Sequence, residues 1–338
     1  MAFGKISDRF FIERILPHLG AHRDDVLVGP WLGTDAAILR QADNRVMVVA
    51  EDPIFLVPGV TIEDFGWYTV HIGASDVAVT GVPPTHLTYS LLVPPDTAED
   101  TIAEIIQAVS KTAKELGIAI VGGHTCYAPV VVSPIIGGIT VFGWAEQYCS
   151  PAGAREGDDL VITKGPAIEA TGILARQYKE ELLAGGVAPD LVERGGAHIR
   201  SMSVVKDALT AFEAGKVHAM HDATEGGVIR GIWEMAESAG LGLRVEREAI
   251  VVPEEIAAIC AFLKINPLDA ISEGTLVAAV APKSTEAVLN ALHGTGIPAW
   301  RIGRFASPSA GIAFTSGERF HPAVADPFWP LFFAKVGQ

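Results

Sequence analysis

The chain has 338 residues, 49% of them apolar, with 25 Lys plus Arg against 40 Asp plus Glu and a formal charge of −15. At roughly 100–200 residues per domain this length fits two domains, and there is too much apolar material for a disordered chain. The acidic balance argues against nucleic-acid and anionic-membrane partners, which need a basic face, but leaves open a small polyanion such as ATP reached through a bridging metal ion. Cys126, Cys149 and Cys260 are widely spaced, which sets aside a disulfide framework and a C-x-x-C zinc site. Residues 1–14 carry charges throughout, and the longest apolar run, 130–145, is broken by Pro134, Gly137 and Gly138. Neither a signal peptide nor a membrane span is expected, so the chain reads as a soluble cytoplasmic protein.

In chain order, 9–19 has helical apolar spacing at Phe10, Phe11, Ile15, Leu16 and Leu19, and 36–39 and 46–50 are short β-type runs. Residues 61–80 read as a helix that opens on Glu63 and Asp64, where the helix dipole favours negative charge. A strand is expected at 85–93, a helix after Pro94-Pro95-Asp96-Thr97 ending at Gly117, and a strand at 118–121 running into Gly122-Gly123-His124-Thr125. Residues 130–144 supply one long strand or two. The polar, glycine-bearing stretch 151–158 marks a junction, giving domains 1–150 and 151–338. Beyond it strands are expected at 159–163, 217–220, 241–245 and 276–280. Helices are expected at 168–183, 201–214, 228–238, 253–263 and 284–292. Strand–strand neighbours occur in both halves, so the fold class is α+β.

Polar residues flanked by small ones recur at element ends: Gly33-Thr34-Asp35, Glu51-Asp52-Pro53, Ser75-Asp76 and Gly122-Gly123-His124-Thr125. Singly, Asp35 reads as a turn residue and Asp52 as an exposed acid before proline. Asp76 lies in an otherwise apolar helix, where a half-buried carboxylate needs a partner. Several such carboxylates meeting at one point would repel unless a cation sits between them, and hard oxygen ligands suit Mg²⁺. Thr163-Lys164-Gly165 follows a strand and opens a helix, whose first amides form an anion site to which Lys164 adds charge. In His221-Asp222-Ala223-Thr224-Glu225-Gly226-Gly227, Thr224 can cap the next helix while Gly226 and Gly227 leave its first amides open. No G-x-S-x-G or H-E-x-x-H occurs.

GTDAAIL, AEDP, ASDVAVTGVPP, VGGHT, TKGPAIEATGILA and MHDATEGGVIRGIWEMAE, in this order, resemble the AIR synthase (PurM) superfamily and within it the HypE-like AIR synthase-related proteins. The resemblance implies a two-domain PurM-like architecture: an N-terminal sheet that pairs with a second copy into a barrel-like homodimer core, and a C-terminal α/β domain. It further implies ATP in the cleft, with Mg²⁺ on Asp35, Asp52 and Asp76, and with Gly33, Gly122, Gly123, His124 and Thr125 lining the pocket. Asp222, Thr224, Gly226 and Gly227 would face the substrate or phosphate side, and Lys5 would point into the site. Two departures stand out. His124 takes the place of an acid usual in kinase and synthase members, and the final cysteine in the sequence is Cys260, so carbamoyl dehydration through a C-terminal cysteine is not expected. No cysteine precedes Cys126, which sets aside selenophosphate synthesis. The implied activity is ATP-dependent phosphorylation or activation of an oxygen on an unknown small substrate. The alternative is a non-catalytic ATP-binding protein that presents a surface to a maturation partner.

Overall fold

The computed structural model describes residues 4–131 and 136–335, so residues 132–135 of the long apolar run lie outside the described residues. Strands β1 (Val26–Val28), β2 (Ala37–Arg40), β3 (Val46–Phe55), β4 (His86–Val93), β5 (Ala119–Tyr127) and β6 (Ile136–Ala145) form one sheet in the order β1-β2-β3-β6-β4-β5. Its pairs are antiparallel except β4 with β5. Alternation along β3 buries Val46, Val48, Ala50 and Ile54 beneath the helices Ile62–Ala78 and Glu99–Glu115, and leaves Met47 and Val49 half-exposed on the opposite face. Thr61 caps the first helix by accepting from the Asp64 amide at 3.0 Å, and Gly73 lets it lie on β6, where a Cβ would come within 2.9 Å of Val141. Pro53 is tolerated inside β3 because β2 pairs only as far as Val49, so one edge of β3 beyond it has no strand partner among the described residues.

Strands β7 (Asp159–Thr163), β8 (Val217–Asp222), β9 (Gly242–Val245), β10 (Leu276–Val280), β11 (Ala299–Ala306) and β12 (Ile312–Phe314) form the second sheet, ordered β12-β9-β11-β7-β10-β8. The Gly227–Ser238 helix packs Val228, Ile232 and Met235 on one face, with Leu160, Ala219 and Val277. The other face carries Val161, Met220 and Ala278, which belong to the same apolar cluster as Ile38, Val77 and Ile139 of the first half. The two halves therefore share one core. Asp64 also crosses between them to Arg176 at 2.8 Å, and Ser75 Oγ accepts from the Val204 amide at 3.0 Å. A cleft between halves tied in this way is largely preformed. Among the described residues no helix is long and apolar enough to cross a membrane.

The chain departs from the expected elements where local chemistry intervenes. In place of one helix over residues 9–19, the chain forms three short helical turns of different pitch, Asp8–Phe10, Phe11–Ile15 and Leu16–His18, with Pro17 inside the last. The helix expected at 168–183 breaks at Tyr178 into Ile168–Gln177 and Lys179–Ala184. The 201–214 helix begins only at Val205, and Gly122-Gly123-His124-Thr125 continues β5 instead of forming a loop. Helices Pro189–Ala197 and Phe328–Lys335 and strands β11 and β12 had no counterpart in the sequence reading.

Candidate functional site

Five acids from separate elements converge at the cleft. Asp35 precedes β2, Asp52 lies in β3, Asp76 in the last turns of the Ile62–Ala78 helix, Asp222 at the end of β8, and Glu273 in the turn before β10. Asp76, Asp222 and Glu273 are buried. Asp222 faces Glu273, and Asp52 faces Asp76, carboxyl to carboxyl. Apart from a proton shared within such a pair, neither oxygen of Asp222, nor Asp52 Oδ2, nor Glu273 Oε1 has a donor among the described residues.

This crowding shows in the acidities. Burial, then the charges of Asp52, Asp222 and Asp35, push Asp76 well above the usual carboxylate range. Burial, then Asp222 and Glu169, does the same to Glu273. Burial raises Asp52 and Asp222 too, and lifts Asp35 to about 6 against the pull of His221. Two cations border the cluster. Burial disfavours the Lys5 ammonium, but Glu234, Asp35, Asp222 and Glu225 outweigh that and raise its pKa. Lys5 Nζ donates to Thr224 Oγ1 at 3.2 Å, and its backbone N–H donates to the Glu225 carboxylate at 2.9 Å. His221 sits between Asp35 (Nδ1 to Oδ2, 2.8 Å) and Glu234 (Nε2 to Oε2, 3.2 Å). Donating at both nitrogens makes it an imidazolium, and these partners overcome burial to raise its pKa well above the usual value. Ligand atoms of Asp35, His221 and Asp222 lie within 4.8 Å of one another. With both His221 nitrogens engaged, the donor set open to a cation is carboxylate oxygen, the chemistry that suits Mg²⁺.

Several other expected site residues are not brought to this cluster. The Lys164 ammonium is taken by Asp207 at 2.8 Å and the Ser203 carbonyl at 2.7 Å. At the helix it was expected to open, the Ile168 amide donates to Ser272 Oγ at 3.2 Å and the Ala170 amide to the Ile271 carbonyl at 3.1 Å. An anion finds neither Lys164 nor these amides free. Gly226 and Gly227 adopt positive φ as the turn demands, yet the Gly226 amide is held by Asp326 at 2.7 Å and the Gly227 amide by the Thr224 carbonyl at 3.0 Å. A side-chain carboxylate from the end of the chain thus stands where a phosphate was expected. Gly33, by contrast, does lie beside the cluster, in the loop before β2, packed on the Glu234 side chain and lining a cavity with Asp35 and His221. Gly122, Gly123, His124 and Thr125 lie exposed on edge strand β5, three strands from Asp52 through the row Asp52–Ile139–Tyr89–Gly123, about 14 Å at normal strand spacing.

A cavity of about 450 Å³ opens beside the acids, between Asp52, Ile54 and Tyr68 of the first half and Glu169, Met202 and Glu273 of the second. Phe328, Trp329 and Phe332 of the C-terminal helix close it, and Phe332 meets Phe55 edge-on at 6.2 Å. A second cavity of about 450 Å³ shares Lys5 as wall and runs past Asp35, His221 and the half-exposed Trp31. Sequence reasoning missed Glu169, Glu273, Glu234 and the C-terminal aromatics. His221 stood inside a motif already singled out, whereas Glu273 sits in a short Ser-Glu-Gly-Thr turn that carries no local signal.

Residues 33–145 match the family described as AIR synthase related protein, N-terminal domain, and residues 155–313 match AIR synthase related protein, C-terminal domain. The chain is 27% identical over 285 residues to carbamoyl dehydratase HypE of Rhizobium leguminosarum bv. viciae, covering 78% of this chain and 74% of that protein. It is 26% identical over 290 residues to thiamine-monophosphate kinase of Rhodopirellula baltica, covering 83% and 81%. The crystal structure of hydrogenase maturation protein HypE in complex with ATP shares the fold, with a TM-score of 0.70, 24% identity and 97% of both chains covered. With both halves matched in order and the two-domain PurM-like fold in common, the chain belongs to the AIR synthase-related family.

Proposed function

We propose that this protein is a cytoplasmic, homodimeric, Mg²⁺-dependent ATP-binding enzyme that phosphorylates or otherwise activates an oxygen of a small substrate, on domains 1–150 and 151–338. The observation that carries this reading is the set of buried carboxylates meeting at the cleft, with both oxygens of Asp222 and one of Asp52 lacking a donor among the described residues beyond a proton shared within each carboxyl pair. Such a set is costly by itself and becomes favourable when a divalent cation enters. Asp35, Asp52 and Asp76 would hold Mg²⁺, with Asp222 beside them. The ion would neutralise charge on the phosphate oxygens, the main requirement of phosphoryl transfer. Lys5, fixed by Thr224 and Glu225, supplies a cation at the same point. Asp222 and Glu273 offer acceptor oxygens for a substrate hydroxyl. Gly122, Gly123, His124 and Thr125 would meet the nucleotide on the helix-free side of the first sheet, which a second copy closes.

Calorimetric titration with Mg²⁺ and a non-hydrolysable ATP analogue tests the site, and ATP turnover in wild type and Asp76→Asn tests the chemistry. Absence of binding up to millimolar nucleotide would sink the reading. Binding without turnover, even with cell extract as a source of substrate, would favour the alternative of a nucleotide clamp that serves a maturation partner.

A further inference from the structure

The Gly227–Ser238 helix turns one polar face to the site. Arg230, Glu234 and Ser238 follow one another at intervals of four, so their side chains line up along one side of the helix. Each holds a different piece of chain. Ser238 Oγ donates to the Leu32 carbonyl at 2.8 Å, and Gly33 packs on the Glu234 side chain, which together fix the loop that carries Asp35. Glu234 spends one carboxylate oxygen on Arg230 Nε at 2.8 Å and the other on His221 Nε2 at 3.2 Å. His221 in turn holds Asp35 Oδ2 through Nδ1 at 2.8 Å. At the far end the Arg230 guanidinium pairs with Asp8, three residues after Lys5.

The row Asp8–Arg230–Glu234–His221–Asp35 is continuous, and both of its ends lie on segments that supply the acid cluster. His221 and Glu234 are buried, a cost that apolar packing of the helix on β8 would avoid. With both oxygens of Glu234 and both nitrogens of His221 engaged, neither side chain turns without breaking a bond. His221 lies close enough to Asp35 and Asp222 to resemble a ligand in its own right, but its nitrogens are taken, so it acts behind Asp35. It occupies Oδ2 and leaves Oδ1 to face an ion. A partner placed in this way behind a metal-binding carboxylate fixes the direction in which that carboxylate points.

We propose that Arg230 and Glu234 are positioning residues: through His221 they aim Asp35 at the divalent ion, and through Asp8 they hold the segment that carries Lys5 over the same acids. One helix thereby sets both an anion and a cation of the site. The assignment rests on the function proposed above only for the ion at Asp35. The hold on the Lys5 segment stands without it.

Two measurements on the full chain test the two ends. Mn²⁺, whose free ion is counted by EPR, is titrated onto wild type, Glu234→Gln, Asp35→Asn and the double variant, with and without a non-hydrolysable ATP analogue. The single side-chain oxygen of a glutamine cannot serve Arg230 and His221 as two carboxylate oxygens do, so Glu234→Gln is expected to weaken Mn²⁺ about tenfold. In the Asp35→Asn background the same change is expected to cost less than about threefold, because its route is already cut. A larger cost there, or a loss below about threefold in the Glu234→Gln single variant, overturns the Asp35 end of the assignment. Mere loss of charge or of stability would weaken the ion equally in both backgrounds. Asp35→Asn keeps a carbonyl oxygen and leaves the other acids in place, so uptake stays measurable at millimolar ion; should it not, Asp35→Glu serves for the cycle. Arg230→Gln replaces Glu234→Gln if melting curves show the latter unfolded.

Hydrogen exchange of the metal-free protein reads the Lys5 end. Arg230→Gln and Asp8→Asn are each expected to speed exchange in residues 4–10 at least about threefold, with β7 and β10 unchanged. A smaller change in that segment, or faster exchange throughout the chain, overturns that end. A wild type that takes up no Mn²⁺ under either condition defeats the metal reading and the Asp35 end with it. Equal losses in both backgrounds, in a wild type that binds the ion, defeat the positioning alone.

Discussion

At the scale of single residues, the site is set by carboxylates that compensate one another poorly. Asp222 is fully buried and, apart from a proton shared with Glu273, has no donor on either oxygen among the described residues, so its charge is a liability until a cation arrives. Asp222→Asn is expected to raise the melting temperature in EDTA by a few degrees, equivalent to roughly 1–3 kcal/mol of relieved repulsion and desolvation. The same change should abolish the further stabilisation given by Mg²⁺ with nucleotide, and scanning calorimetry reads both effects. The acids also set the pH response. Asp35 and Asp326 have folded values of about 6 against 3.8, and Glu169 about 8 against 4.5, so the folded state holds protons that the unfolded chain has released. Their stabilising contribution is complete below the unfolded values and is lost as pH rises through the folded ones. Asp64, Asp159, Glu234 and Glu255 are lowered and act oppositely, losing their contribution as pH falls through the acid range. The metal-free protein should therefore melt at a higher temperature at pH 6 than at pH 8, and Mg²⁺ should narrow the gap. Asp76 was legible as unusual in the sequence because an acid in an apolar helix demands a partner. Glu273 was not, because only its distant neighbours make it so.

At the scale of elements, backbone closeness decides what the loops can do. Gly227 has φ of +64°, and a Cβ there would lie 2.6 Å from the carbonyl oxygens of both Leu268 and Ala270. Gly227→Ala should cost at least about 2 kcal/mol from the left-handed conformation and the collision together, read as a lower urea midpoint. Local spacing placed most helices and strands near their true positions, since the period of apolar residues is a local property. Local spacing also marked the 163–168 turn as an anion site. There it fell short, because Asp207, Ser203 and Ser272 claim Lys164 and the helix amides from elsewhere in the chain. The 328–335 helix, almost uniformly apolar and aromatic, has no amphipathic period to reveal it, yet it forms one wall of the cavity beside the acids.

At the scale of the whole molecule, one core joins the halves while the helix-free face of the first sheet stays half-exposed with Met47, Val49, Phe142 and Trp144, next to the exposed edge of β5. An open edge strand with Val121 56% exposed is a template for pairing. Light scattering is expected to give twice the 35.7 kDa of one chain, and Val121→Glu to give a folded monomer with a lower unfolding midpoint, since the stabilisation by association is lost, and weaker nucleotide binding. A monomeric wild type would leave the 122–125 strand segment without the role proposed for it.

The sequence by itself determined the α+β class, the order of most elements, the family and the acids Asp35, Asp52, Asp76 and Asp222, because periodicity and ordered motifs are written along the chain. Only the tertiary structure decided which charges are free. Lys164 is consumed, the Gly226 amide is closed by Asp326, and Glu273 joins the acids from a turn without a motif. The reason is that a side chain's availability depends on the partners that folding brings to it, and those partners lie up to a hundred or more residues away.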